Sequence, residues 1–218
     1  MSAIASFINS VDAQVAAFIH GITVRSWVEV ASVATGFGSV PVICFLTAFT
    51  VAALILVRRY KDTWVIICST LLSVVVVEAS KHLIGRPRPI NAWYLEDGYS
   101  FPSGHTTVSA TFFFALAIIL SRAAKARNRG IYVLGCIVAT LTIGFTRLYL
   151  GVHNFTDVFA GYVLALICVG AVYQLPWVKS AKNHNGNMEG ERKLIAFASI
   201  AVFLAALMVA WLFRPVLR

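Results

Sequence analysis

The chain has 218 residues, of which 59% are hydrophobic and only 12% charged. A soluble domain carries roughly 25% charged residues, so the composition excludes a soluble globular protein and points to an all-α integral membrane protein. The formal net charge is +9, but the basic residues fall in short loops between apolar runs and form no patch with interleaved aromatics, which argues against a nucleic-acid partner.

In the first segment, Ile4, Phe7, Ile8, Val11, Val15, Phe18 and Ile19 recur at helical spacing, with Ser6, Asn9, Ser10, Asp12 and Gln14 between them. That pattern predicts an amphipathic helix lying in the membrane interface rather than across it. Its first charge is Asp12 and it has no basic leader, so no cleaved signal peptide is expected. A second short helix is expected over residues 25–35, and Gly36, Gly38 and Pro41 break the chain after it. Charge-free runs follow at residues 40–57, 63–77, 105–121, 130–146, 158–178 and 194–213. The second is short, and it reaches spanning length only if the helix continues past Glu78 toward Ile84. We read all six as transmembrane helices. The chain then divides into an interfacial segment (residues 1–39), a five-span core (40–178), and a loop with one additional span (179–218).

Charge in the loops sets the expected orientation. Arg58, Arg59 and Lys61 lie between the first two runs, Arg122, Lys125, Arg127 and Arg129 between the third and fourth, and Lys179, Lys182, Arg192 and Lys193 between the last two. Alternation puts these 11 of the 18 basic residues on one face, which the positive-inside rule makes cytoplasmic. With six spans both termini then face outward. Trp93, Tyr94, Tyr99, Tyr149 and Trp211 fall at the outer interface, and Tyr60, Trp64 and Trp177 at the inner one. Cys44, Cys68, Cys136 and Cys168 all lie inside apolar runs without metal-like spacing and read as small buried hydrophobes.

Three strings remain at the outer face. The first runs from Lys81 through Arg86, Pro87, Arg88 and Pro89, the second is Pro102-Ser103-Gly104-His105, and the third contains Arg147, His153 and Asp157. Ionisable groups gathered at a membrane boundary read as a functional site, and this mixture of cations and imidazoles suits a phosphate. Pro87 and Pro89 are expected to stop the second span and turn Arg88 toward the site; interfacial snorkelling is the alternative for Lys81 and Arg88. Ser103 fits a helix N-cap, and Gly104 lets an anion approach the first amides of the third span. A plain capped helix start explains those two as well, but leaves His105 idle. His153 and Asp157, spaced i, i+4, place a carboxylate beside an imidazole, the arrangement of a base or nucleophile held by a third group. Charge compensation at a helix start is the alternative for Asp157. Glu78 is spaced to pair with Lys81, His82 points away from Lys81 and reads as a packing residue, and His20 and His184 have no evident partners.

The order and spacing of these strings resemble the signature of the type-2 phosphatidic acid phosphatases, the lipid phosphate phosphatases related to vanadium haloperoxidases. The first two strings match in full, and the third has Thr146 where the family has serine. The resemblance covers roughly residues 40–178 and implies a metal-independent phosphatase without cofactor. By that resemblance His153 is the nucleophile that forms a phosphohistidine, and Asp157 orients and charge-balances it. His105 protonates the leaving group and then activates water. Lys81, Arg88, Ser103, Gly104 and Arg147 hold the phosphate oxygens. The expected substrate is a lipid phosphomonoester or diphosphate such as undecaprenyl diphosphate, phosphatidate or phosphatidylglycerol phosphate, taken from the outer leaflet of a bacterial plasma membrane. The segment between Pro89 and Pro102, with Trp93, Tyr94, Glu96, Asp97 and Tyr99, is expected to form a lip over the headgroup. A lipid phosphotransferase using the same intermediate, and a non-enzymatic lipid-binding or transport protein, are the alternatives.

Overall fold

The computed structural model describes residues 3–93, 96–124 and 126–180, with the isolated helical positions 200, 204 and 208. Among the described residues all regular structure is helical. The elements are α1 (Ala3–Ile22), α2 (Arg25–Gly36), α3 (Val40–Leu56), α4 (Tyr60–Ile84), α5 (Gly104–Ala123), α6 (Ala126–Tyr149), α7 (Phe155–Gln174) and α8 (Pro176–Ser180). Four of these are long and apolar enough to cross a membrane, and α2 with α3, bent by 43° at the break between them, makes a fifth if counted as one broken span. The sixth expected span, residues 194–213, lies outside the continuously described residues. The chain is an integral membrane protein.

Several boundaries follow from local chemistry. α4 does run through Glu78 to Ile84, for 25 residues. It stops at Gly85, whose φ of 62° is left-handed and whose amide donates to the Lys81 carbonyl at 2.9 Å. Glycine tolerates that conformation, so the helix ends there, before the prolines that the sequence nominated. The apolar run at 158–178 is cut at Leu175, held extended (φ −62°, ψ 132°) because Pro176 forbids helical geometry to the residue before it.

α5 is the axis of the bundle, with 61% of its apolar window buried against 33–39% in the other spans. It packs on α4, α6 and α7, while α1 and α2 lean on α6 and α7. In lipid the packing of small residues and satisfied polar groups matters more than apolar burial itself. The start of α5 follows that rule. Thr107 and Thr111 return their hydroxyls to carbonyls one turn back at 2.8 Å, and Ser109 does so at 2.6 Å. Gly161 of α7 faces them so closely that a Cβ there would sit 3.0 Å from Thr107 Oγ1. Deeper, Ile43, Leu54, Ile66, Phe112 and Ile119 form the main apolar core. A second cluster of Ile19, Ala31, Tyr149, Leu150 and Val152 seats α1 and α2 on the end of α6. Tyr149, expected in the outer aromatic belt, is 8% exposed, and its hydroxyl accepts the Val24 amide at 2.8 Å. Trp93, Tyr99, Tyr60, Trp64 and Trp177 are exposed, and Tyr94 and Trp211 lie outside the described residues.

Candidate active site

Four helix ends meet: the C-termini of α4 and α6 and the N-termini of α5 and α7. The basic corners lie at the opposite end, where the Arg59 Nη2 group donates to the Ile119 carbonyl at 3.4 Å and the Arg122 guanidinium lies 5.0 Å from the Tyr173 ring centre. At the meeting point Lys81, Arg88, Gly104, His105 and His153 line one cavity of about 150 Å³. Its other wall is apolar, made by Val40, Val74, Val77 and Val108. Lys81, on the last turn of α4, has Nζ 3.4 Å from Glu78 and faces Gly104, where an added Cβ would lie 3.6 Å from that nitrogen. His82 packs edge-on against Tyr99, as the spacing on α4 suggested.

Ser103 stands at the N-cap position of α5 but makes no side-chain cap. Its hydroxyl accepts from Thr106 Oγ1 at 3.0 Å, and its amide donates to the Asp157 carbonyl at 3.1 Å. That second bond ties the starts of α5 and α7 together. Thr146, the departure from the third motif, returns its hydroxyl to the Ile143 carbonyl at 2.6 Å.

His153 lies in the connection between α6 and α7, two residues before α7 begins, rather than on a helix face. Gly151 lets the chain turn there (φ 67°), and a Cβ at that position would meet the Asn91 carbonyl at 3.0 Å. His153 is 4% exposed; its Nε2 is 3.3 Å from Arg88 Nη1 and its Nδ1 is 3.7 Å from Asp157 Oδ2. The second distance is longer than a hydrogen bond, and among the described residues Nδ1 has no hydrogen-bond partner. Burial depresses the His153 pKa, with the Asp157 contact opposing and the Arg147 and Arg88 charges reinforcing the drop. Burial thereby favours the neutral imidazole, the form that carries a lone pair. Asp157 is fully buried and closes a capping box: its Oδ2 accepts the Asn154 amide at 2.8 Å.

Arg147, in the last turn of α6, is completely buried and donates Nη1 to Thr35 Oγ1 at 2.8 Å. Its Nη2 is paired with Glu96, whose other oxygen is 2.8 Å from Arg88 Nη1. A carboxylate therefore bridges two of the three cations. Burial alone would raise the Glu96 pKa, but Arg147 foremost, with smaller contributions from His105 and Arg88, outweighs it and holds the group at about 2 instead of 4.5. The linkage has a definite sign. A depressed folded pKa contributes stability above the unfolded value and loses it as pH falls toward the folded one, on the order of 3 kcal/mol over that window. Glu96→Gln is expected to lose less thermal stability than wild type between about pH 5 and about pH 3. Detergent-phase melting curves that fall equally in both proteins would contradict this.

The model of the PAP2 superfamily matches residues 62–181, more than half of the chain. The chain belongs to the PAP2 superfamily. It is 32% identical over 122 residues to an undecaprenyl-diphosphatase of Sulfolobus acidocaldarius, covering 53% of this chain and 55% of that one. It is 35% identical over 91 residues to phosphatidylglycerophosphatase B of Bacillus subtilis, covering 40% and 44%. The chain thus spans about half the length of the curated relatives it matches. Among solved structures, a PAP2-type phosphatidylglycerolphosphate phosphatase from Bacillus subtilis superposes with a TM-score of 0.70 at 25% identity, over 76% of this chain and 84% of that one. Aquifex aeolicus LpxE does so with a TM-score of 0.57 at 26% identity, over 74% and 94%.

In this PAP2 member three groups join the site that motif spacing did not assign to it. Glu96 was expected only as part of a lip, yet it sits between Arg88 and Arg147. Arg86 reaches Asp157 Oδ1 at 2.8 Å, and Asp12, from α1, reaches Arg86 at 2.7 Å. The available signal was Asp12 itself, the one charged residue among the first 24. His20, which had no evident partner, lines a second cavity of about 280 Å³ that shares His153 as a wall.

Proposed function

We propose that this protein is a metal-independent lipid phosphatase that cleaves a phosphomonoester or diphosphate through a phosphohistidine. The observation that carries the proposal is the one cavity that Lys81, Arg88, Gly104, His105 and His153 line together, with the buried His153 imidazole against the Arg88 guanidinium. In this scheme His153 Nε2 gives its lone pair to phosphorus as the P–O bond to the leaving group breaks. His105 gives a proton to the departing oxygen. Asp157 stabilises the positive charge that develops on His153. His105 then takes a proton from water as the water oxygen attacks phosphorus, the P–N bond breaks, and inorganic phosphate leaves with His153 neutral again. Lys81, Arg88, Ser103, Gly104 and Arg147 hold the phosphoryl oxygens and stabilise the charge spread over them in the transition state.

The apolar wall of Val40, Val74, Val77 and Val108 supports a substrate whose phosphate is followed by hydrocarbon. The names of the relatives support undecaprenyl diphosphate and phosphatidylglycerol phosphate as first candidates, with phosphatidate next. Loop charge supports a site on the outer face of a plasma membrane, and the polar interruptions of α1 support its lying in the interface. The test is phosphate release from a panel of these three lipids in detergent micelles, with and without a chelator. Release from at least one lipid, unchanged by chelation, is expected. No release from any of them, or release that the chelator abolishes, would overturn the proposal.

A further inference from the structure

Asp12 is nearly fully buried, its side chain 5% exposed, in a helix that otherwise carries no formal charge. Its partners all belong to the site's surroundings. Oδ2 accepts from Arg86 Nη2 at 2.7 Å and from Thr156 Oγ1 at 2.7 Å, and Oδ1 accepts the Thr156 amide at 2.9 Å. Arg86 then turns its other arm inward, donating Nη1 to Thr156 Oγ1 and to Asp157 Oδ1, each at 2.8 Å. Asp157 is thereby held on one oxygen by Arg86, while its second oxygen takes the Asn154 amide and faces His153.

We propose that Asp12 and Arg86 are positioning residues for the nucleophile: α1 supplies a buried carboxylate that fixes Arg86, and Arg86 holds Asp157 at His153. The inference rests on the phosphatase reading for its kinetics and on geometry alone for its electrostatics. Buried ion clusters are costly to desolvate and are poor devices for stability by themselves. This one has a specific electrical consequence. Asp12, Arg86 and Asp157 carry a net single negative charge beside the imidazole. Without Arg86 the cluster becomes doubly negative, and without the Asp12 charge it becomes neutral. Negative charge favours the imidazolium. Loss of Arg86 must therefore raise the His153 titration midpoint, and loss of the Asp12 charge must lower it.

The other charged and titratable groups facing His153 stay constant in that comparison. They are Lys81 and Glu78 on α4, Arg88 and Glu96 in the α4–α5 connection, His105 on α5, Arg147 on α6, and His20 on α1. The experiment uses the full chain in detergent, labelled with ¹⁵N-histidine, with the His153 signal assigned by its loss in His153→Gln. Asp12→Asn, which is isosteric, is expected to move the His153 midpoint down. Arg86→Gln is expected to move it up, and Arg86→Lys to leave it near the wild-type value. A purely structural staple predicts no such opposed displacement, so midpoints that stay put or move together overturn the proposal. With dioctanoyl phosphatidate as substrate, Asp12→Asn and Arg86→Gln should each lower kcat about ten- to a hundredfold with KM changed less than about twofold, and Arg86→Lys should recover part of it. Wild-type protein inactive on every lipid tested would sink the phosphatase reading, while the titration would still decide this one.

Discussion

A His153→Ala variant is expected to release phosphate at least about a thousandfold more slowly than wild type while remaining folded, because the substitution removes the attacking atom. His153 Nε2 is directed at Arg88, and the ring is 4% exposed. Removing the ring enlarges a space that already adjoins two cavities, so the packing loss is small beside the chemical one. Activity loss alone does not separate a nucleophile from a base that activates water. The covalent step does. Rapid quenching of wild-type protein with ³²P-labelled substrate should trap label on the protein in an acid-labile, alkali-stable form, as a phosphoramidate requires. No label should appear on the His153→Ala protein. Label that persists in the variant would place the covalent bond elsewhere, and undiminished turnover would leave His153 without a catalytic part.

The separation between what the sequence displays and what only folding reveals is physical. Lys81, Arg88, His105, Arg147 and His153 were legible because each is fixed near the end of an apolar run, and helix ends on one side of a membrane must meet. Membrane parity does that geometric work before any tertiary contact is known. The i, i+4 spacing of His153 and Asp157 suits a shared helix face, but the left-handed Gly151 turn delays the start of α7 and leaves His153 in the connection before it. Glu96 was read only as part of a lip because its position depends on how the α4–α5 connection doubles back, with the Ser100 amide on the Arg86 carbonyl at 2.8 Å and the Trp93 amide on the Leu150 carbonyl at 3.0 Å. Such contacts have no period to read. Asp12 meets Thr156 across 144 positions of sequence, and no local rule reports a pairing at that separation. A lone buried charge in an amphipathic helix was the one hint, and its polar neighbours Ser10 and Gln14, which bond to each other at 3.2 Å on the surface, concealed it.

Arg147→Leu is expected to damage activity and stability together, because Arg147 serves binding and architecture at once. Its side chain is fully buried, donates to Thr35 on α2, and pairs with Glu96. As a phosphate donor its removal should lower kcat/KM by about two to three orders of magnitude. As one partner of a buried pair its removal should cost about 3 kcal/mol or more in stability, since Glu96 keeps its charge but loses one of the two guanidiniums it bridges. Arg147→Lys keeps the charge but lacks the planar fork that serves Thr35 and Glu96 together, so it should fall between wild type and Arg147→Leu in both measures. The two roles separate in a double variant. Adding Glu96→Gln to Arg147→Leu removes the carboxylate that has lost its Arg147 partner and should restore part of the melting temperature without restoring phosphate release. If turnover returned along with stability, Arg147 would be a scaffold for Glu96 and not a contact for phosphate. If the single variant turned over as wild type does, the clamp would consist of Lys81, Arg88 and the first amides of α5.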